Sequence, residues 1–260
     1  GTKRMNRYIV RKATKGFAEY IKKAGEDACR RGVVIAHDNR RYSVEFCLET
    51  AGVLAANGIK SFIFDSLRPT PELSFAVREL GCGCGIVISA SHNSGEYNGV
   101  KCYGPDGCQM TDEPAAIVTD MISTIPYFVP ETKSFEEFMA AGLISYIGQD
   151  LWEKYYETVL NEAVDPEMLR KSGLNIVYTP LCGTGMEPVR AVLTDLNVNI
   201  SVVSCQEKPD GDFKTCEYPN PETDAALNES YKVARETPCD VILGTDPDCD
   251  RVAIAVPDGD

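Results

Sequence analysis

The sequence predicts an α/β protein of two consecutive α/β domains, each a mostly parallel mixed sheet sandwiched by helices. Three observations carry this. Short β-branched runs alternate with stripes of helical period along most of the chain. The second half repeats the element order of the first, without a residue-level repeat. In each half the third apolar run opens into a small polar or acidic loop, the position at which open α/β sheets build their sites.

Arg7 to Lys22 carries Ile9, Ala13, Phe17 and Ile21 at a spacing near four, a helical stripe. Gly32 to Ala36 reads as a strand, followed by a loop over Asp38 to Ser43. Ser43 is expected to cap a helix that runs to about Ala56 and ends before Gly58. Ile59 to Phe64 is a second strand. Pro71 opens a helix that closes at Gly81, and Ile86 to Ser89 forms the third strand. Val100 to Tyr103 and Cys108 to Met110 flank Gly104-Pro105-Asp106-Gly107, so turn chemistry predicts a hairpin. Asp112 is expected to cap a helix through Met121. The stretch 125–147 has no clear period, and the domain boundary is set near Gly148, giving domains 1–148 and 149–260.

In the second half a helix is expected from Asp150 to about Leu160 and a strand over Leu174 to Tyr178. A helix containing Val189, Val192 and Leu193 follows, then a strand over Val198 to Val203. Pro209 to Glu222 is a long proline-containing loop, a length often associated with function. Asp224 to Glu236 is a helix, and Asp240 to Leu243 the strand feeding the acidic loop. Both ends read as interior to a longer chain: Gly1 to Arg7 leads straight into a helix, and Val252 to Asp260 reads as a strand and a turn with no return strand.

With 260 residues, 43% of them hydrophobic and 25% charged, the chain is long enough for a sizeable core. A net charge of −13 argues against a nucleic-acid partner, which would need a basic face. The eleven cysteines show no paired C-x-x-C spacing and are expected to be small buried groups in a reduced compartment. Zinc is the lesser alternative, since only His37 and His92 are present to complete a mixed set. The absence of a signal peptide or span-length apolar run predicts a cytoplasmic protein without membrane attachment.

Two stretches concentrate chemistry. The first, Ser89-Ala90-Ser91-His92-Asn93-Ser94-Gly95-Glu96-Tyr97-Asn98-Gly99-Val100-Lys101, places a hydroxyl in a tight turn with His92 and Lys101 as titratable neighbours. The second is Gly244-Thr245-Asp246-Pro247-Asp248-Cys249-Asp250-Arg251. Three carboxylates at alternating positions suit a hard divalent cation, and Arg251 suits a phosphate oxygen. An EF-hand also begins with alternating acids, but it needs Gly at its sixth position and Glu at its twelfth, where this chain has Arg251 and Pro257. A serine hydrolase would need G-x-S-x-G around Ser91, which Ala90-Ser91-His92 is not. Gly183-Thr184-Gly185 lacks the third glycine of a dinucleotide loop and the lysine of a P-loop, and reads as a structural turn.

Together these loops resemble those of the α-D-phosphohexomutases, within that superfamily the bacterial phosphoglucomutase and phosphomannomutase branch. Asp38-Asn39-Arg40-Arg41-Tyr42-Ser43, Pro69-Thr70-Pro71, Gly183 to Val189 and Pro219-Asn220-Pro221-Glu222 match in the same order. The resemblance implies that Ser91 carries a phosphate, and that Asp246, Asp248 and Asp250, with a phosphoserine oxygen of Ser91, hold Mg²⁺. It implies that Lys101 and His92 are candidates for proton transfer, that Lys101 or Arg251 grips phosphate, and that Asn93 shapes the loop. It further implies a hexose 1-phosphate/hexose 6-phosphate mutase, glucose being the preferred sugar and mannose, glucosamine or a pentose the alternatives. Glucose 1,6-bisphosphate would be its intermediate and activator. The chain departs from the family at Ser94, where proline is usual. It also lacks the amino-terminal Gly-Thr-Ser-Gly segment and the carboxyl-terminal sugar-binding domains, so these residues alone are expected to bind Mg²⁺ and phosphate with little turnover.

Overall fold

The computed structural model describes residues 4–130 and 132–258. The expected turn at Gly259-Asp260 and the first three residues lie outside the described residues. The chain divides into two compact units. One comprises Gly1–His37, Tyr42–Ala90 and Tyr97–Gly148; the other comprises Asp38–Arg41, Ser91–Glu96 and Gln149–Asp260. Two short loops from the first half of the sequence therefore count with the second unit.

The first unit contains α1 (Arg7–Lys23), α2 (Glu26–Arg31), β1 (Val33–His37), α3 (Ser43–Ala56), β2 (Ser61–Ile63), α4 (Thr70–Glu79), β3 (Cys84–Ile88), β4 (Val100–Tyr103), α5 (Asp112–Thr124), α6 (Phe135–Ala140) and β5 (Ile144–Tyr146). Its sheet runs β4-β3-β1-β2-β5 and is parallel except for β4. Every residue of β1 and β3 is buried, as strands covered on both faces must be. Alternation sorts the faces. Val33, Ile35, Ile86 and Ile88 share a core with Val10, Phe17 and Ile21 of α1, Phe46 and Leu54 of α3, and Val118 of α5. On the other face, Gly85 lies so close to α4 that a Cβ would come 2.7 Å from Val77 and 3.0 Å from Leu73.

The second unit contains α7 (Gln149–Asn161), α8 (Pro166–Ser172), β6 (Asn175–Thr179), α9 (Met186–Asp195), β7 (Asn199–Val202), α10 (Asp224–Glu236), β8 (Val241–Thr245) and β9 (Val252–Ala255). Its sheet runs β7-β6-β8-β9, again parallel except for the last strand. Ile176 and Tyr178 pack against Leu160, Leu169, Val189 and Leu193, on α7, α8 and α9. Val177 and Ile242 pack against Tyr231 and Val233 of α10. The two sheets share one plan: second, first and third strand in parallel, then an antiparallel fourth.

Several expectations need correction. Ser43 is the first residue of α3, not its cap; the cap position is Tyr42, left-handed at φ 65°, with no side-chain capping bond. The Ser43 hydroxyl instead accepts a bond from Asn98 Nδ2 at 2.9 Å. Asp112 opens α5 from inside the helix, after Thr111. The expected 100–110 hairpin closes, but only briefly: Tyr103 bridges Gln109 on the edge of β4 that β3 leaves open, with Gly104 N–H donating to the Cys108 carbonyl at 2.9 Å and Met110 N–H to the Cys102 carbonyl at 2.8 Å. The stretch without a clear period holds α6 and β5, and the short helices α2 and α8 also lie outside the expected elements. β9 finds its partner in β8, the strand before it. Cys47, Cys82, Cys84, Cys182 and Cys216 are buried as expected, but Cys108 and Cys205 are exposed. Burial pushes the Cys47 and Cys84 thiols up to about 12, which leaves them unreactive.

Candidate active site

The candidate site is assembled within the second unit from the loop after β8 and the two loops contributed by the first half of the chain. The β8 loop begins at Asp246, which is fully buried. Its Oδ1 accepts the backbone N–H groups of Asp250 at 3.1 Å and Arg251 at 3.0 Å, while Cys249 N–H donates to its carbonyl at 2.9 Å. The carboxylate thus ties its own loop into a tight turn, an Asx-type closure reinforced by two amides. Cys249 takes a left-handed φ of 55° inside that turn.

The turn gathers Asp246, Asp248 and Asp250 so that one carboxylate oxygen of each lies within 4.8 Å of the others. Asp246 and Asp248 are buried and Asp250 is exposed. Burial, with Asp248 and Asp250 alongside, pushes Asp246 up to about 8. Three converging acids at this spacing repel one another when all are ionised, and the arrangement is relieved by a cation. The donors are all oxygen, which suits Mg²⁺ or Ca²⁺ over a soft metal.

Ser91 enters the same constellation. It stands three residues beyond β3 in a left-handed conformation, φ 52°, uncommon for a residue with a Cβ and typical of functional turns. Its hydroxyl donates to Asp246 Oδ2 at 2.9 Å and lies 3.3 Å from His92 Nδ1. Asp246 therefore uses one oxygen to hold its loop and turns the other to the serine. Burial and the Arg251 guanidinium push the His92 pKa down, against the pull of Glu222, Asp248 and Asp250; a neutral ring near pH 7 can accept a proton. Arg251 Nη1 is paired with Glu222 Oε1 at 3.0 Å. Lys101, by contrast, belongs to the first unit, where it stands on β4 in register with Val87 of β3.

Residues named from the sequence without a role at the site support this arrangement. Arg40 is buried and bonds to Asp38 and to the serine loop. Asn39 Nδ2 donates to the Cys182 carbonyl at 2.7 Å. Gly183 and Gly185, read from sequence as a structural turn, lie against the acidic loop: a Cβ on Gly183 would fall 2.4 Å from Pro247, and one on Gly185 2.7 Å from Thr245 and 2.9 Å from Cys249. Thr184 N–H donates to the Pro247 carbonyl at 2.8 Å. The matched stretches Asp38–Ser43 and Gly183–Val189 held these residues, but no pattern in them named the contact.

Fold and site point to a class: a protein of tandem α/β domains in which a serine hydroxyl lies against three carboxylates that could hold a cation. Comparison with known proteins agrees. Residues 1–127 match the phosphoglucomutase/phosphomannomutase alpha/beta/alpha domain I, and residues 153–259 match domain II of the same family. The chain belongs to the phosphoglucomutase/phosphomannomutase family, as an amino-terminal part of that superfamily. It is 34% identical over 265 residues to a phosphoglucomutase of Staphylococcus epidermidis, covering 100% of this chain and 47% of that protein. It is 35% identical to a "probable phosphoribomutase" of Schizosaccharomyces pombe, covering 98% of this chain and 44% of that one. A solved structure from Thermus thermophilus, assigned as a phosphomannomutase, superposes with a TM-score of 0.80 at 26% identity, over 98% of this chain and 54% of that one. The chain thus spans about half the length of the curated relatives it matches.

Proposed function

We propose that these residues form the phosphate-carrying and metal-binding domains, 1–148 and 149–260, of a mutase that interconverts hexose 1-phosphate and hexose 6-phosphate. The observation that carries the reading is the 2.9 Å approach of Ser91 Oγ to Asp246 Oδ2 within the acid trio. Ser91 is the phosphate carrier. Asp246, Asp248 and Asp250 hold Mg²⁺ together with an oxygen on Ser91. When bound, Mg²⁺ offsets phosphate charge and acts as a Lewis acid.

In the transfer, a free sugar hydroxyl attacks the phosphorus on Ser91; a new P–O bond forms to the sugar and the P–O bond to the serine breaks. The hydroxyl proton passes to a base, and the serine oxygen takes a proton as it leaves. Lys101 and His92 are the residues proposed for these proton movements. His92 is supported by its 3.3 Å approach to the serine and its lowered pKa; Lys101 rests on the family motif. Arg251 grips phosphate oxygens as a planar cation. The product is a sugar bisphosphate, glucose 1,6-bisphosphate in the preferred case. It turns over and returns its other phosphate to Ser91.

Glucose is favoured by the phosphoglucomutase relatives; mannose and pentose substrates are the alternatives, since relatives carry those names as well. A metal–phosphate binding module without turnover is the second reading for the 260 residues alone. The protein is proposed to be cytoplasmic; no helix among the described residues is long and apolar enough to cross a membrane.

The test is intact-mass measurement after incubation with Mg²⁺ and glucose 1,6-bisphosphate. One added phosphoryl group is expected on the wild-type chain and none on Ser91→Ala. Equal labelling of the two would remove Ser91 as the carrier. A coupled assay with glucose 1-phosphate and a trace of the bisphosphate then separates turnover from binding.

A further inference from the structure

The geometry points to Arg40 as a positioning residue that holds the Ser91–Ser94 backbone in its transfer-ready form and turns three amide N–H groups of that loop away from itself. The inference rests on the proposed role of Ser91 as phosphate carrier.

Arg40 follows β1 by three residues and its side chain is wholly buried, as is its partner Asp38. Asp38 orients it twice: Oδ1 accepts the Arg40 backbone N–H at 2.9 Å, and Oδ2 accepts Nε at 3.1 Å. The guanidinium carbon lies 4.9 Å from the centroid of the Phe213 ring, which supplies a cation–π platform. The terminal nitrogens of Arg40 reach one short loop. Nη1 donates to the Ser94 carbonyl at 2.7 Å, and Nη2 donates to the Ser91 carbonyl at 2.6 Å and the Asn93 carbonyl at 2.5 Å.

Three carbonyls of a four-residue stretch pointing at one spot would repel without a cation there. A planar fork satisfies all three while its Nε stays on Asp38, four contacts that the three donors of an ammonium cannot match. The convergence also has a far side. No cis peptide occurs among the described residues, and across a trans peptide the C=O and N–H point in opposite directions. Turning the carbonyls of Ser91, Asn93 and Ser94 inward therefore turns the N–H groups of His92, Ser94 and Gly95 outward. Amides turned outward in this way are suited to receive an anion. The same clamp holds Ser91 at its left-handed φ of 52°, a conformation that costs energy unless its surroundings impose it. Gly95 joins this packing: a Cβ there would come 2.8 Å from the Gly211 carbonyl, two residues before Phe213.

The experiment compares wild type, Arg40→Lys and Phe213→Leu. Lysine keeps the charge but has three donors for the four contacts that Arg40 makes to Asp38 and the loop; leucine removes the platform and leaves the hydrogen bonds. The first readout is ¹⁵N relaxation of the loop amides. Order parameters at residues 92–95 are expected to fall from about 0.85 towards 0.6 in Arg40→Lys, with a smaller fall in Phe213→Leu and no change in β6 and β8. The second is the rate of Ser91 phosphorylation by glucose 1,6-bisphosphate, expected to drop about 10-fold at saturation with a near-constant half-saturating concentration. Wild-type order at 92–95 in both variants overturns the clamp, as does loosening spread evenly over the second unit. If Arg40→Lys does not fold, Phe213→Leu decides alone. If the wild-type chain takes no phosphate onto Ser91, its role as phosphate carrier in this chain fails, while relaxation still decides the clamp.

Discussion

Gly183 and Pro247 touch through their backbones: a Cβ on Gly183 would lie 2.4 Å from Pro247 Cα and 2.5 Å from its carbonyl oxygen. The glycine turn after β6 and the acidic loop after β8 are thus fitted to each other with no room for a methyl group. Gly183→Ala is expected to displace the acidic loop, weaken Mg²⁺ binding about 10-fold and cost about 1–3 kcal/mol of stability. Calorimetric titration with Mg²⁺ and thermal unfolding check both. Unchanged affinity would show that the loop holds its shape without this contact.

Asp246 is expected to govern the response to pH and metal. Its folded pKa, pushed up to about 8, lies above that of an unfolded aspartate. Folding then takes up a proton between the two values. The group's contribution is fully present below about pH 4 and is lost as pH rises towards 8. Metal-free protein is expected to lose melting temperature over that window. Mg²⁺ should restore more stability at pH 8 than at pH 6, where protons compete for the same oxygens. Asp246→Asn should flatten the metal-free pH profile and abolish the Mg²⁺ response; melting curves at several pH values with EDTA or Mg²⁺ measure it.

Glu222 pairs with the Arg251 guanidinium at 3.0 Å, and both side chains are substantially exposed, so the pair itself should add under about 1 kcal/mol to stability. Its effect falls on Arg251. Glu222→Gln is expected to leave the melting temperature nearly unchanged and to tighten inorganic phosphate binding, in the presence of Mg²⁺, by about 2- to 5-fold as the carboxylate no longer competes. Weaker phosphate binding would instead mean that Glu222 orients Arg251 for its ligand.

Gly16 tests the first unit by itself. A Cβ there would come 2.4 Å from the Ile122 side chain and 2.8 Å from its backbone, where α1 crosses α5. Gly16→Ala is expected to cost about 1–3 kcal/mol, the usual range for overpacking, while Mg²⁺ affinity stays as in wild type. Urea unfolding followed by Mg²⁺ titration separates the two effects.

Much of the fold was legible because its signals are local. Arg7 to Lys22, Ser43 to Ala56 and Asp224 to Glu236 have helical spacing and clear stops, and β1, β3, β6 and β8 are apolar runs bounded by turn residues. What escaped was set by partners distant in sequence. β5 is three residues long and exists because Ser61, Phe62 and Ile63 offer it a parallel edge. Ser43 has the chemistry of a cap, yet its hydroxyl is engaged by Asn98, 55 residues away.

For the candidate site the division is similar. The chain by itself determined which atoms are available: a serine in a polar turn after one buried strand, and three carboxylates at alternate positions after another. Those features depend on residue type and spacing over a few positions, which sequence records directly. The tertiary structure decided which of them meet, with Asp246 offering one oxygen to its own loop and the other to Ser91, and Arg40 drawing three serine-loop carbonyls to a single point. Such convergence depends on buried contacts between residues far apart along the chain, which local pattern does not encode.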